Sequence, residues 1–112
     1  MKVGVIGCGF FAQNHLHAWR DIDGVDVVAL CDNDQSNLFA TGKEFKIERQ
    51  FTDAVDLFDY GEFDIVDIAT MAPSHRSLVE MAAQNTKHII CQKPFAENIT
   101  DARAMVSAVN AT

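Results

Sequence analysis

The sequence predicts a doubly wound α/β domain, a parallel sheet with helices on both faces and strand order 3-2-1-4-5. Two observations carry this expectation. Short β-rich runs alternate along the whole chain with longer amphipathic stretches, the pattern of strand–helix–strand units joined by right-handed crossovers. The first, second and fifth runs are nearly continuous in apolar residues, as strands become when helices cover both of their faces. In such a sheet the switch point falls between the first and fourth strands, and ligands bind at the strands' carboxyl ends.

Val3–Ile6 is the first strand, and a helix from about Phe11 to Arg20 follows a glycine-containing turn. Val25–Cys31, "VDVVALC", is the second strand, and Asp34–Phe45 reads as a helix. Ile47–Phe51 is a short, weak strand. Asp53 opens a short helix with Thr52 or Asp53 as its cap, since a side-chain oxygen there accepts an orphan N–H of the first turn. Asp64–Ala69 is the fourth strand, and Ser74–Gln84 a helix with Ser74 as N-cap behind Pro73. His88–Cys91 is the fifth strand. A last helix starts near Asn98–Thr100 and runs to about Val109.

Residues 1–112 predict one domain with one core. An apolar share of 48% with 22% charged residues is that of a globular chain and argues against disorder. The net charge of −7 argues against nucleic acid or an anionic membrane as partner. It leaves room for an anionic small molecule, because helix-start N–H groups hold phosphate locally. No apolar stretch approaches the roughly 18 residues of a membrane span. A single Lys followed by a short run broken by glycines does not read as a signal peptide. Cys8, Cys31 and Cys91 are an odd, widely spaced set, expected as reduced thiols of a cytoplasmic protein. They lack C-x-x-C spacing, so no metal site is expected.

After the first strand the sequence reads G-C-G-F-F-A, Gly7 to Ala12. Gly7 permits a sharp turn off the strand, Gly9 leaves space for a pyrophosphate to approach the backbone, and Ala12 is small enough for helix and strand to pack closely. Such a turn alone is common to many strand–helix units. Its context adds two features: it joins a buried-type strand to a helix, and Asp32 ends the second strand, where a carboxylate accepts hydrogen bonds from both hydroxyls of a ribose. Together these imply a dinucleotide. Asp32 repels a 2′-phosphate and neither Asn33 nor Asp34 supplies a cation for one, so NAD is favoured over NADP. The alternative role for Asp32 is a cap on the following helix. Phe10 and Phe11 either cover the cofactor or pack on the sheet. His15 and His17 read as packed or solvent-facing, and Asp67, inside an apolar strand, as structural with a need for partners if buried.

The fourth strand ends in Thr70-Met71-Ala72-Pro73-Ser74-His75 and the fifth in Gln92-Lys93-Pro94. With the glycine turn, these resemble, in order and along essentially the whole chain, the motifs of the glucose-fructose oxidoreductase/inositol dehydrogenase (Gfo/Idh/MocA) family: GxGxxG/A, T-P-x-x-x-H and E-K-P. Met71 departs from the usual proline and Gln92 from the usual glutamate. The resemblance implies a Rossmann domain that binds NAD, with Thr70 and His75 on the nicotinamide side, Met71 in a segment that contacts cofactor largely through its backbone, Gln92 and Lys93 contacting cofactor, and a cis peptide before Pro94. It also implies a catalytic role for Lys93. That lysine follows an apolar strand at the edge where ligands bind, and Pro94 restricts it to extended geometry. An ammonium held there can hydrogen-bond a substrate hydroxyl and stabilise oxyanion character as hydride leaves.

Enzymes of this family carry a second, larger domain with the substrate pocket and a proton-accepting histidine. The chain is therefore expected to stop before a sixth strand and to lack that domain. None of His15, His17, His75 or His88 matches the missing histidine. The expected function is the dinucleotide domain of an NAD-dependent oxidoreductase acting on a sugar, polyol or related small hydroxy compound, inactive as a piece, with an uncovered sheet edge that favours self-association. The alternatives are a stand-alone NAD-binding, redox-sensing module working through a protein partner, and another user of this fold such as a methyltransferase, in which Gln92-Lys93-Pro94 has no role.

Overall fold

The structure, a computed structural model, describes residues 1–85 and 87–111. Its strands are β1 (Lys2–Ile6), β2 (Asp26–Cys31), β3 (Arg49–Phe51), β4 (Ile65–Ile68) and β5 (His88–Cys91). Its helices are α1 (Phe10–Arg20), α2 (Gln35–Phe45), α3 (Ala54–Tyr60), α4 (His75–Gln84) and α5 (Ile99–Asn110), with a 3-10 turn at Ala72–Ser74 running into α4. All strand pairs are parallel and the order is β3-β2-β1-β4-β5, as expected.

The apolar runs are explained by two cores, one on each face. Val3, Val5 and Leu30 point toward Leu16 of α1 and Leu38 of α2. Ile6, Ala29, Cys31, Val66 and Ile68 point the other way, onto Leu57 and Phe58 of α3, Leu78 and Val79 of α4 and Met105 of α5. The strand period of two sends successive residues to opposite faces, so β1 must be apolar at every buried position. The fifth strand departs from the expectation of full coverage. Ile89 and Cys91 pack on the α3–α5 side, but Ile90, facing the other way, is 43% exposed.

Side-chain caps set three helix starts. Asp34 accepts from the N–H of Asn37, Asp53 from that of Val55 and Asn98 from that of Asp101. Asp53, not Thr52, is thus the cap of α3. Ser74 does not cap α4: the preceding 3-10 turn already places its backbone in the helical region, and its hydroxyl donates to the Met71 carbonyl instead. β3 begins at Arg49, two residues later than expected, because α2 ends on left-handed Lys46 and the Ile47 N–H bonds back to the Gly42 carbonyl. The remaining boundaries fall within one residue of the sequence-based ones. The Lys93–Pro94 peptide is cis.

Leu57 is fully buried between α3 and the sheet. Replacing it with alanine is expected to lower unfolding free energy by about 2–5 kcal/mol, read as a fall in the urea midpoint; a loss below about 1 kcal/mol would place α3 outside the cooperative core.

Candidate functional site

Strand register builds the site. Ile6 pairs with Cys31 on one side and Ile68 on the other, and Ile68 pairs with Cys91. The next residue of each strand therefore falls on one line, in the order Asp32, Gly7, Ala69, Gln92. Three strand spacings make this row roughly 14 Å long. Hydrogen bonds extend the ladders through it: Gly7 N–H to the Cys31 carbonyl (2.7 Å), Ala69 N–H to that of Ile6 (2.8 Å) and Gln92 N–H to that of Ile68 (2.9 Å).

The two glycines do different work. Gly7 has φ +105° and a Cβ there would lie 2.9 Å from the Ala69 carbonyl oxygen, so backbone and space both demand glycine. Gly9 lies in ordinary extended backbone as the N-cap of α1, and a Cβ there would meet no atom within 4 Å. The space above Gly9 is open to a ligand. The helix start it leads into has no side-chain cap and no acid in its first turn, so its N–H groups and the positive end of the helix dipole face the row. Ala12 is fully buried under α1.

Asp32 bridges to this turn. One carboxylate oxygen accepts the N–H of Cys8 at 2.7 Å, the other that of Asp34 at 2.8 Å. Asp34, not Asp32, caps α2. Each Asp32 oxygen keeps a second lone pair, so the carboxylate can still accept from a diol. Asn33 beside it is exposed.

Phe10 (84% exposed), Phe11 (61%) and Met71 (83%) stand around the opening. Neither phenylalanine packs on the sheet, the alternative open from the sequence; they stack edge to face on each other. Thr70 shares a 2.6 Å hydrogen bond with the Ser74 hydroxyl. Lys93 is exposed and makes no hydrogen bond or ion pair with the described residues. His75, expected on the nicotinamide side, lies beneath the opening. It is fully buried, with its ring nitrogens 2.8 Å from the Thr70 carbonyl and 3.0 Å from that of Phe95. The ring sits between the loops after β4 and β5 beneath the opening, donating to one carbonyl from whichever nitrogen carries its proton, and neither nitrogen faces the opening. Gln92 is also engaged below: its amide oxygen lies 2.8 Å from Nε2 of His15.

That contact belongs to a network the sequence reading missed. Asp67 is 1% exposed. It receives Trp19 Nε1–H at 2.8 Å and faces Nδ1 of His15 at 2.8 and 2.9 Å. The signal was present: Asp67 interrupts an apolar strand, and His15 and Trp19, four apart on one helix, share a face.

Four similarities to known proteins bear on the site. A family model described as "Oxidoreductase family, NAD-binding Rossmann fold" matches residues 1–112. A D-apiose dehydrogenase from Paraburkholderia graminis is 61% identical over 107 residues, 96% of this chain and 28% of the relative. An oxidoreductase from Agrobacterium radiobacter, solved with NAD+, L-tartaric acid and magnesium, superposes with a TM-score of 0.97 at 51% identity, over 99% of this chain and 32% of that one. The WlbA dehydrogenase from Bordetella pertussis, solved with NADH and UDP-GlcNAcA, gives 0.94 at 28% identity, over 99% of this chain and 34% of that one. The chain thus spans about a third of the length of the proteins it matches.

Cysteines flank the row, and burial neutralises them. Desolvation, with the Asp32 carboxylate adding to it, pushes the Cys8 thiol up to about 12. Burial does the same to Cys31, also to about 12, with Cys8 and Asp32 adding. Cys91 rises to about 11, by burial and then Asp67. A thiol whose pKa is higher folded than unfolded favours the fold below its unfolded value of 9.0, and that contribution fades as pH climbs toward the folded value. Stability is expected to fall between pH 9 and 12. Iodoacetamide at pH 8, followed by mass spectrometry, is expected to modify Cys8 and Cys31 at least ~10-fold more slowly in the folded than in the urea-unfolded chain; equal rates would contradict this assignment.

Proposed function

Because the chain belongs to the Gfo/Idh/MocA oxidoreductase family and is its NAD-binding Rossmann domain, we propose that it holds NAD for a dehydrogenase acting on a sugar, polyol or related hydroxy compound. The carrying observation is the open space at Gly9 before an uncapped helix start, with Asp32 in line beside it. A pyrophosphate fits there because backbone N–H groups and the dipole of α1 favour an anion without any cationic side chain. Gly7, Gly9 and the N–H groups of Phe10, Phe11 and Ala12 form the cradle. Asp32 accepts the ribose hydroxyls, and its charge, with no cation among Asn33, Asp34, Gln35, Ser36 and Asn37, turns away a 2′-phosphate. Phe10, Phe11 and Met71 cover the ligand. Thr70, Gln92 and Lys93 lie toward its nicotinamide end.

NAD, when bound, supplies the hydride acceptor. Lys93 contributes a free ammonium at that end of the row. It orients a substrate hydroxyl and stabilises the negative charge that grows on oxygen as the C–H bond breaks. The proton acceptor lies outside this chain's histidines. His75 and His15 are engaged below the row, His17 bonds Arg20 late in α1, and His88 opens β5 at the far end of the sheet. The substrate pocket is accordingly assigned to the further length the relatives possess, in a protein without nucleic-acid or membrane partners that works in the cytoplasm.

A Cβ at Gly9 would meet no atom within 4 Å, so Gly9→Val is expected to leave the melting temperature nearly unchanged while weakening NAD binding at least ~10-fold by calorimetry; unaltered affinity would empty the cradle. NAD is expected to bind at least ~10-fold more tightly than NADP, and Asp32→Ala to narrow that gap; equal affinities before mutation would remove the assigned role of Asp32. In the intact protein Lys93→Ala is expected to lower kcat by about 10²–10³-fold with little change in NAD affinity; an unchanged kcat would remove its catalytic role.

A further inference from the structure

We infer that His15 and Gln92 are positioning residues for Lys93, linked through His15 to the buried carboxylate of Asp67. The inference rests on the catalytic role of Lys93 proposed above.

Proton bookkeeping fixes the network from its buried end. Asp67 is 1% exposed and sits in the middle of β4 on the face covered by α1. An ionised carboxylate only accepts hydrogen bonds, so His15 carries a proton on Nδ1 and donates it to Asp67, as Trp19 donates its indole N–H to Oδ2. Two rings on successive turns of one helix thereby lock one carboxylate, and the carboxylate locks the rings. The other nitrogen of His15 then points to Gln92, 2.8 Å from Oε1. If that nitrogen is protonated, it donates to the amide oxygen. If it is bare, a half-turn of the amide presents an N–H to it instead. Glutamine therefore keeps the contact in either charge state of the ring.

The consequence falls on the next residue. Gln92 is pinned by its backbone N–H to the Ile68 carbonyl (2.9 Å) and by its side chain to α1. Two elements thus fix the peptide from which Lys93 departs. Lys93 itself has no partner among the described residues and a long, flexible side chain. Its direction is set by the backbone that launches it, and misplacing a reacting group by about 1 Å can cost ~10²-fold in rate. A network serving only to neutralise buried Asp67 would need no more than Trp19 and Nδ1 of His15. The bond from Nε2 to Gln92 leads out of the buried region toward the lysine.

The test separates these roles in the intact dehydrogenase. His15→Asn keeps a donor near the Nδ1 position for Asp67 but cannot reach Gln92; Gln92→Leu removes the acceptor; Gln92→Glu restores one, to which Nε2 donates when the ring, held between two carboxylates, carries both protons. The first two variants are expected to lower kcat about 10–100-fold with substrate KM and NAD affinity within about threefold. Gln92→Glu is expected to recover at least ~10-fold of the loss shown by Gln92→Leu, and the His15→Asn/Gln92→Leu pair to be no worse than either alone. Lower thermal stability with kcat unchanged, additive losses, or no recovery in Gln92→Glu would overturn the inference. Lys93→Ala is measured alongside. If it leaves kcat intact, the proposed role of the lysine fails; if it lowers kcat while the His15 and Gln92 variants do not, only the positioning inference fails. Should a variant fold poorly, nitrogen-15 NMR of the unmutated chain decides the geometry. A hydrogen bond between Nε2 of His15 and the Gln92 side-chain amide is expected, read as slowed exchange of whichever proton it uses, and its absence would overturn the inference equally.

Discussion

At Gly7 the backbone has φ +105°, and a Cβ would come within 2.9 Å of the Ala69 carbonyl oxygen. The chain leaves β1 through a gap only a hydrogen atom fits. The Gly7 N–H stays bonded to the Cys31 carbonyl of β2, and Ala69 N–H stays bonded to Ile6 of β1. Strands β2, β1 and β4 therefore end together, in register, while the backbone turns sharply enough for α1 to begin within three residues. The adjacency of Asp32, the open space at Gly9 and the start of α1 depends on this one close approach. A larger residue at position 7 must push β4 away or move the turn, and either displaces every group on the row.

Beneath the row, buried polar groups are satisfied; above it, groups are left open. His75 and Asp67 are almost wholly buried and fully engaged with neighbouring elements. Among the described residues no buried side-chain polar atom lacks a partner. Unpaired buried polar groups cost free energy, so this layer holds the loops after β4 and β5 rigidly. On the surface it supports stand the opposite kinds of group: exposed aromatic rings, an uncapped helix start and an unpaired lysine. A rigid floor under unsatisfied groups is what a preorganised ligand site requires.

The strand order, the glycine turn and the position of Asp32 were legible because each follows from backbone rules with few alternatives. Apolar continuity marks covered strands, a glycine pair marks a tight turn, and an acid after a strand lands at its carboxyl end. The side chains whose roles depend on direction were not legible. His75 and Lys93 both follow strands, yet one is fully buried and the other exposed; nothing local distinguishes them, because burial of His75 depends on the Phe95 carbonyl arriving from another loop. Ser74 looked like a cap since Pro73 precedes it, but the 3-10 turn moved the helical geometry one turn earlier. The His15–Gln92 contact joins residues 77 apart in sequence, beyond any periodicity within one element.

An acidic chain that receives an anion must arrange its charges by place. Acids stand at the starts of α2 (Asp34), α3 (Asp53 and Asp56) and α5 (Asp101), where they offset those helix dipoles. The starts of α1 and α4 carry no acid and no side-chain cap. These two helices follow β1 and β4, the adjacent strands whose connections diverge to opposite faces of the sheet. The positive helix ends left unneutralised are thus those that flank the switch point. At about 8 Å screening in physiological salt, distant acids on the surface contribute little to a phosphate held at hydrogen-bond range. Local donors decide the matter, and the net charge of −7 is compatible with an anion site because none of the acids lies in the first turn of α1.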